Sequence, residues 1–154
     1  MQPTLARRVR RAQQHPAAGA TLPDAPQYGP SRRAPQDSSA FRRGVEQFNT
    51  GCFFDAHETW EEIWLRSPEP DKTFLQGIIQ VAAAFHHYSR GNARGALSLL
   101  QAGLGRLARF PDAYHGIALG ALRAAAQAWA AALASGGSPG PELPVPRIQS
   151  VESQ

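Results

Sequence analysis

Between residues 41 and 134 apolar side chains return every three or four positions and never alternate with period two for long. That spacing confines the folded part of the chain to helices. Phe41, Val45 and Phe48 make a four-then-three step, and Phe53, Ala56, Trp60, Ile63 and Trp64 make a second stripe. The punctuation agrees. Asp37, Ser38 and Ser39 offer N-caps to a first helix that Asn49-Thr50-Gly51 stops. A second helix runs from about 53 to 66, ahead of Pro68 and Pro70. A third starts near Asp71, which is read as its cap, and runs to Ser89 before Gly91. Asn92 caps a fourth that reaches about 109, and a fifth covers about 117–134 before Gly136-Gly137. β-branched residues are scarce, so no sheet is expected. Short connections make successive helices antiparallel neighbours, and the expected fold is all-α, a compact bundle of about five helices.

An offset of 40 residues aligns two helical hairpins. Phe48 matches Tyr88, Gly51 matches Gly91, Ala56 matches Ala96, Trp60 matches Leu100 and Trp64 matches Leu104. An aromatic precedes each turn glycine by three, and a small residue follows it by five, where two helices can approach. These are tetratricopeptide-like hairpins; two copies are too few for a solenoid.

The bundle is expected over 38–135, with flanking tails at 1–37 and 136–154 that hold too little apolar surface to order themselves. The net charge of +4 sits in the first tail, chiefly in "ARRVRR", whereas 38–135 carries nine basic and eight acidic side chains. Nucleic acid would therefore be met only through the basic arm, since no basic stripe continues into the folded part. Cys52 is the single cysteine, which leaves no internal disulfide and no cysteine metal cluster. No apolar run is long enough for a signal peptide or a membrane span, so a cytoplasmic protein without a membrane partner is expected.

The chemistry gathers in "FFDAHETWEEIW", residues 53–64. His57 falls at the edge of the apolar stripe, and Glu61 lies one turn on, above it on the helix. Glu58 and Glu62 form another pair nearer solvent. The third helix is apolar nearly all round, which marks it as the central one. Yet Gln76, Gln80 and His87 recur along one side of it. Polar residues on a buried helix should meet polar residues on a neighbour, so His57 and Glu61 are expected to face Gln80 and His87. Such a cluster can be a hydrogen-bonded core network, or a divalent-metal site with His57, Glu61 and His87 as ligands. "HETWE" departs from the zincin H-E-x-x-H pattern at its last position, where Glu61 stands for the second histidine. Trp60, Trp64 and Trp129 sit at core spacing. His115, in "PDAYHG", can rim a pocket. No activated serine or cysteine nucleophile and no glycine-rich phosphate loop is visible.

"FNTGCFFDAHETWEEIW" followed by "FLQGIIQVAAAFHHYSRGNARGALSLLQAGLGRL" resembles a bacterial and archaeal all-helical family, domain-of-unknown-function family 309. The resemblance covers about residues 41–110 and thins over the last helix, where "YHGIALGAL" departs from the family's pattern. By position, the family's hallmark residues are Phe48, Gly51, Ala56, His57, Glu58, Trp60, Glu61 and Trp64, then Gln76, Gly77, Gln80, Gly91, Asn92, Gly95 and Ala96. The resemblance implies a helical fold and no particular activity.

Two functions are carried forward. The first is a binding or interaction module for a small molecule or a protein, with a polar pocket formed by His57, Glu58, Trp60, Glu61, Trp64, Gln76, Gln80 and His87. The second is a metal-dependent hydrolase with His57, Glu61 and His87 as ligands and Glu58 as base. An exposed apolar side of the fifth helix would support a homodimer.

Overall fold

A computed structural model describes residues 38–137, 139 and 143–151. The basic arm over 1–37 lies outside the described residues. Five helices follow one another: α1 (Ser39–Asn49), α2 (Phe53–Leu65), α3 (Asp71–Ser89), α4 (Ala93–Leu107) and α5 (Leu119–Ala134). A two-stranded antiparallel hairpin, β1 (Ala113–Tyr114) and β2 (Ile117–Ala118), separates α4 from α5. The all-α bundle expected from the periodicity is what forms.

Each helix packs on the next, and among the described residues α2 and α4 make no comparable contact with each other across α3. The α1–α2 and α3–α4 turns are built alike. Gly51 and Gly91 both adopt positive φ, 86° and 83°. In both, the residue after the glycine donates its N–H five residues back, Cys52 to the Gln47 carbonyl and Asn92 to the His87 carbonyl. This closes the helix end with a left-handed residue that glycine adopts without steric cost. Side-chain caps fix two helix starts: Ser38 accepts from the Phe41 N–H and Asn92 from the Gly95 N–H.

The core runs along α3. Phe74, Leu75, Ile78, Val81 and Phe85 are buried, and Phe74 and Phe85 gather aromatic partners from almost every other element. Phe74 meets Phe41, Phe110 and Tyr114; Phe85 meets Phe48, Phe53 and Trp129. Where α3 crosses α4, glycines face glycines: a Cβ on Gly103 would lie 2.9 Å from the Gly77 carbonyl oxygen. The two backbones approach this closely because neither carries a side chain there.

Three features depart from the sequence reading. Asp71 does not cap α3; Pro70 holds the cap position, and Asp71 is buried in the first turn, where its carboxylate accepts from Tyr114 and His115. The hairpin was not expected, being too short for period two to register. The segment over 143–151, expected within a disordered tail, is docked. Ile148 is buried, Ala118 donates to the Gln149 carbonyl, Val151 donates to the Gly116 carbonyl, and Ile117 bridges Ser150. Residues 145–149 alternate exposed and buried, and the two inward residues, Pro146 and Ile148, anchor the segment. Average composition hides such a pattern.

The large apolar residues of α5 (Leu119, Leu122, Trp129 and Leu133) face the core, and its exposed side carries Ala121, Ala124, Ala128 and Ala131. Among the described residues, no helix is long and apolar enough to cross a membrane.

Candidate functional site

The acid-rich segment forms α2, and its apolar stripe is buried as expected. Trp60 is fully buried against Phe41 and Phe48, and its indole N–H donates to the Phe41 carbonyl at 3.2 Å. Thr59 donates to the Gln47 side chain at 2.8 Å, which ties α2 to α1. His57 lies deeper than the stripe edge, at 0% exposure, with Phe54 stacked on its ring. Glu61 is half-buried; Glu58 and Glu62 are exposed. Glu58 therefore lies on the solvent face and not in an interhelical pocket.

The α2–α3 pair is antiparallel. Near its start α2 places Phe54 against His86, and at its end the Trp64 carbonyl accepts from Lys72 at 3.0 Å. The Lys72 ammonium also lies 4.2 Å from the Trp64 ring centre, a cation–π contact. This register sets His57 level with Gln80 and Glu61 level with Gln76 along the two helices.

The polar side of α3 is not closed in the expected way. Gln80 is fully buried, and neither its amide nitrogen nor its oxygen has a hydrogen-bond partner in the protein. The same holds for Gln76 Nε2, Trp64 Nε1 and Arg106 Nε. His87 turns its Nδ1 to Asn92 at 3.0 Å, beside the turn, while its Nε2 is buried without a partner. The expected pairing, in which Gln80 and His87 answer His57 and Glu61 by hydrogen bonds, is thus replaced by a row of unanswered polar groups. Gln76, Gln80 and His87 lie on α3, Trp64 on α2 and Arg106 on α4, with Gly103 against the Gln80 Cβ and the Arg106 Cβ beside Gly77. Burial lowers the pKa of His87. It also lowers that of His86, with the charges of His87 and Arg90 acting in the same direction. Burial, then Arg109, lowers that of Arg106, against a raising effect of Glu69.

The metal reading does not survive the geometry. Among the described residues, no group of three or more His, Cys, Asp or Glu is placed to hold a metal ion. His57, Glu61 and His87 are therefore not gathered into the ligand set that the spacing suggested; His87 stands in the last turn of α3 with its Nδ1 turned to Asn92.

A second polar centre was missed. His115 Nε2 lies 2.6 Å from Asp71 Oδ1, and the Tyr114 hydroxyl donates to the same oxygen at 3.0 Å. Both side chains of the Asp71–His115 pair are about nine-tenths buried, 10% and 11% exposed. The two residues are 44 apart in sequence, and no local spacing joins them.

Residues 41–99 match the family model described as Domain of unknown function (DUF309). An uncharacterized protein of Aquifex aeolicus (strain VF5) is 34% identical over 90 residues, 58% of this chain and 27% of that protein. The uncharacterized protein YpuF of Bacillus subtilis (strain 168) is 39% identical over 57 residues, 36% of this chain and 33% of that protein. The matched regions thus span about a third or less of each relative's length. The family resemblance seen in the sequence holds over the segment that forms α1, α2, α3 and the first half of α4.

Proposed function

We propose that this chain, whose residues 41–99 carry the DUF309 segment, is a binding module whose recognition site is the polar row on α3 between α2 and α4. The observation that supports this is Gln80: a fully buried side chain with both amide atoms unanswered. Leaving a buried donor or acceptor unsatisfied costs about 1–3 kcal/mol per group, and folded proteins keep few such groups. Several of them on the most buried helix and its two neighbours are a standing cost that a ligand can relieve.

The chemistry of the row selects the ligand. Gln76 Nε2, Gln80 Nε2, Trp64 Nε1 and Arg106 Nε are all donors, and only Gln80 Oε1 is purely an acceptor. A donor-rich row fits an acceptor-rich group such as a carboxylate. Gln76 and His87 are partly buried rather than enclosed, though the Nε2 atom of each is itself buried.

Titration with a panel of mono- and dicarboxylates, followed by the side-chain amide NMR signals of Gln76 and Gln80, tests the reading. Saturable shifts that are lost in Gln76→Met are expected. Shifts confined to surface Arg residues and unchanged in that variant would contradict it.

A further inference from the structure

Asn92 decides what His87 can do. Its side-chain oxygen accepts from the Gly95 N–H at 2.9 Å and caps α4, which turns its amide nitrogen toward His87. That nitrogen lies 3.0 Å from His87 Nδ1 and donates to it. An imidazole nitrogen that accepts carries no proton, so the proton of the neutral ring sits on Nε2. A second proton would stand on Nδ1 against the Asn92 amide hydrogens, and burial already lowers the His87 pKa. His87 therefore presents a neutral N–H of fixed orientation, and that Nε2 atom is buried without a partner in the protein.

The helix sets where this donor stands. At about 100° per residue, Gln76, Gln80 and His87 fall within about 40° of one another around α3. Lys72 and His86, which meet Trp64 and Phe54 of α2, lie to one side of them. Gly77 and Val81, which meet Leu107 and Gly103 of α4, lie to the other. Between Gln80 and His87 the same side of α3 carries Ala83, which adds only a methyl. From Gln80 to His87 the helix rises roughly 10 Å, about two turns.

From this geometry we propose that His87 is a second contact of the α3 site, a neutral donor two turns from Gln80. The ligand is then an elongated molecule with a carboxylate at one end, an apolar middle and a second acceptor group at the other. This rests on the carboxylate reading of that site and adds the length and the far end of the ligand. The carboxylate meets the amides of Gln76 and Gln80, the apolar middle passes Ala83, and the far acceptor takes the His87 Nε2–H.

The test uses the full chain and three probes: sebacate, succinate and decanoate. Sebacate has a carboxylate at each end of a chain that reaches two helical turns; succinate is too short, and decanoate has the length but ends in a methyl. Long-range nitrogen–proton NMR correlations of the imidazole report the His87 tautomer and its response. A proton on Nε2 and a bare Nδ1 are expected in the free protein. Sebacate should shift the Gln76 and Gln80 amides and His87 Nε2 along one saturation curve. Succinate and decanoate should bind about tenfold weaker or more, the loss of one hydrogen bond to a charged group. His87→Phe keeps a ring and should bring sebacate down to the affinity of decanoate; the tautomer and the comparison of probes decide without the variant. A proton on Nδ1 overturns the proposal, as does sebacate binding no tighter than decanoate, which marks an apolar chain contact only. Response at Gln76 and Gln80 with His87 silent overturns it and leaves the carboxylate reading standing. No response at either glutamine overturns both.

Discussion

Trp60 shows how one side chain serves two kinds of stability. It buries the largest apolar surface of α2 and also answers the Phe41 carbonyl with its indole N–H. Trp60→Ala removes both, and the loss expected is about 3–5 kcal/mol by chemical denaturation; a loss under about 1 kcal/mol would mean that the tryptophan is not core. The role of Trp60 was legible from its place on the apolar stripe. The depth of His57 was less so, because a stripe edge read on one helix does not show how closely its neighbour covers it. Asp71 was misread outright: an aspartate at a helix start has the spacing of a cap, and only the distant hairpin reveals its partners. His86 and His87 give a residue-scale test in pH. Their pKa values lie below the ordinary 6.5 in the folded protein. As pH falls below that value the unfolded chain takes up protons first, so their contribution to stability is lost progressively down through the folded pKa values. The double variant His86→Gln, His87→Gln should therefore flatten the fall in unfolding free energy between about pH 7 and pH 5. An unchanged slope would place the histidines in the same environment in both states.

At the scale of elements, α3 and α4 meet through Gly77 and Gly103, and that contact sets how tightly the polar row is enclosed. Gly103→Ala places a methyl 2.9 Å from the Gly77 carbonyl oxygen, which is backbone and cannot swing aside. The cost expected is about 1–3 kcal/mol, despite alanine's better helix propensity. A stabilised variant would show that the two helices stand further apart. Gly105, on the same helix with open space around it, is the control: Gly105→Ala should stabilise by up to about 1 kcal/mol. The helices themselves were legible because each carries its own stripe and its own punctuation. The hairpin was not, because two-residue strands offer no period to detect. Nor was the docked segment, whose signal is only two inward residues, Pro146 and Ile148.

At the scale of the whole molecule, α3 is the axis: α2 and α4 pack directly on it, α1 packs on α2 and α5 on α4. Removing residues 143–154 unseats Ile148, frees the Asn49 side chain and strips the hairpin of the hydrogen bonds to Gln149 and Val151. A melting temperature lower by several degrees is expected, roughly 4–8 °C for each kcal/mol lost in a domain of this size. An unchanged melting temperature would show that the segment contributes nothing. The measurement that bears most directly on the binding reading is the unfolding free energy of Gln80→Met, a swap of similar volume that removes the buried amide. With the amide unanswered in the resting protein, the variant should be more stable than the parent by about 1–3 kcal/mol. A variant less stable by a similar amount would show that the protein itself satisfies Gln80, and the row on α3 would then be a core network with nothing left to bind.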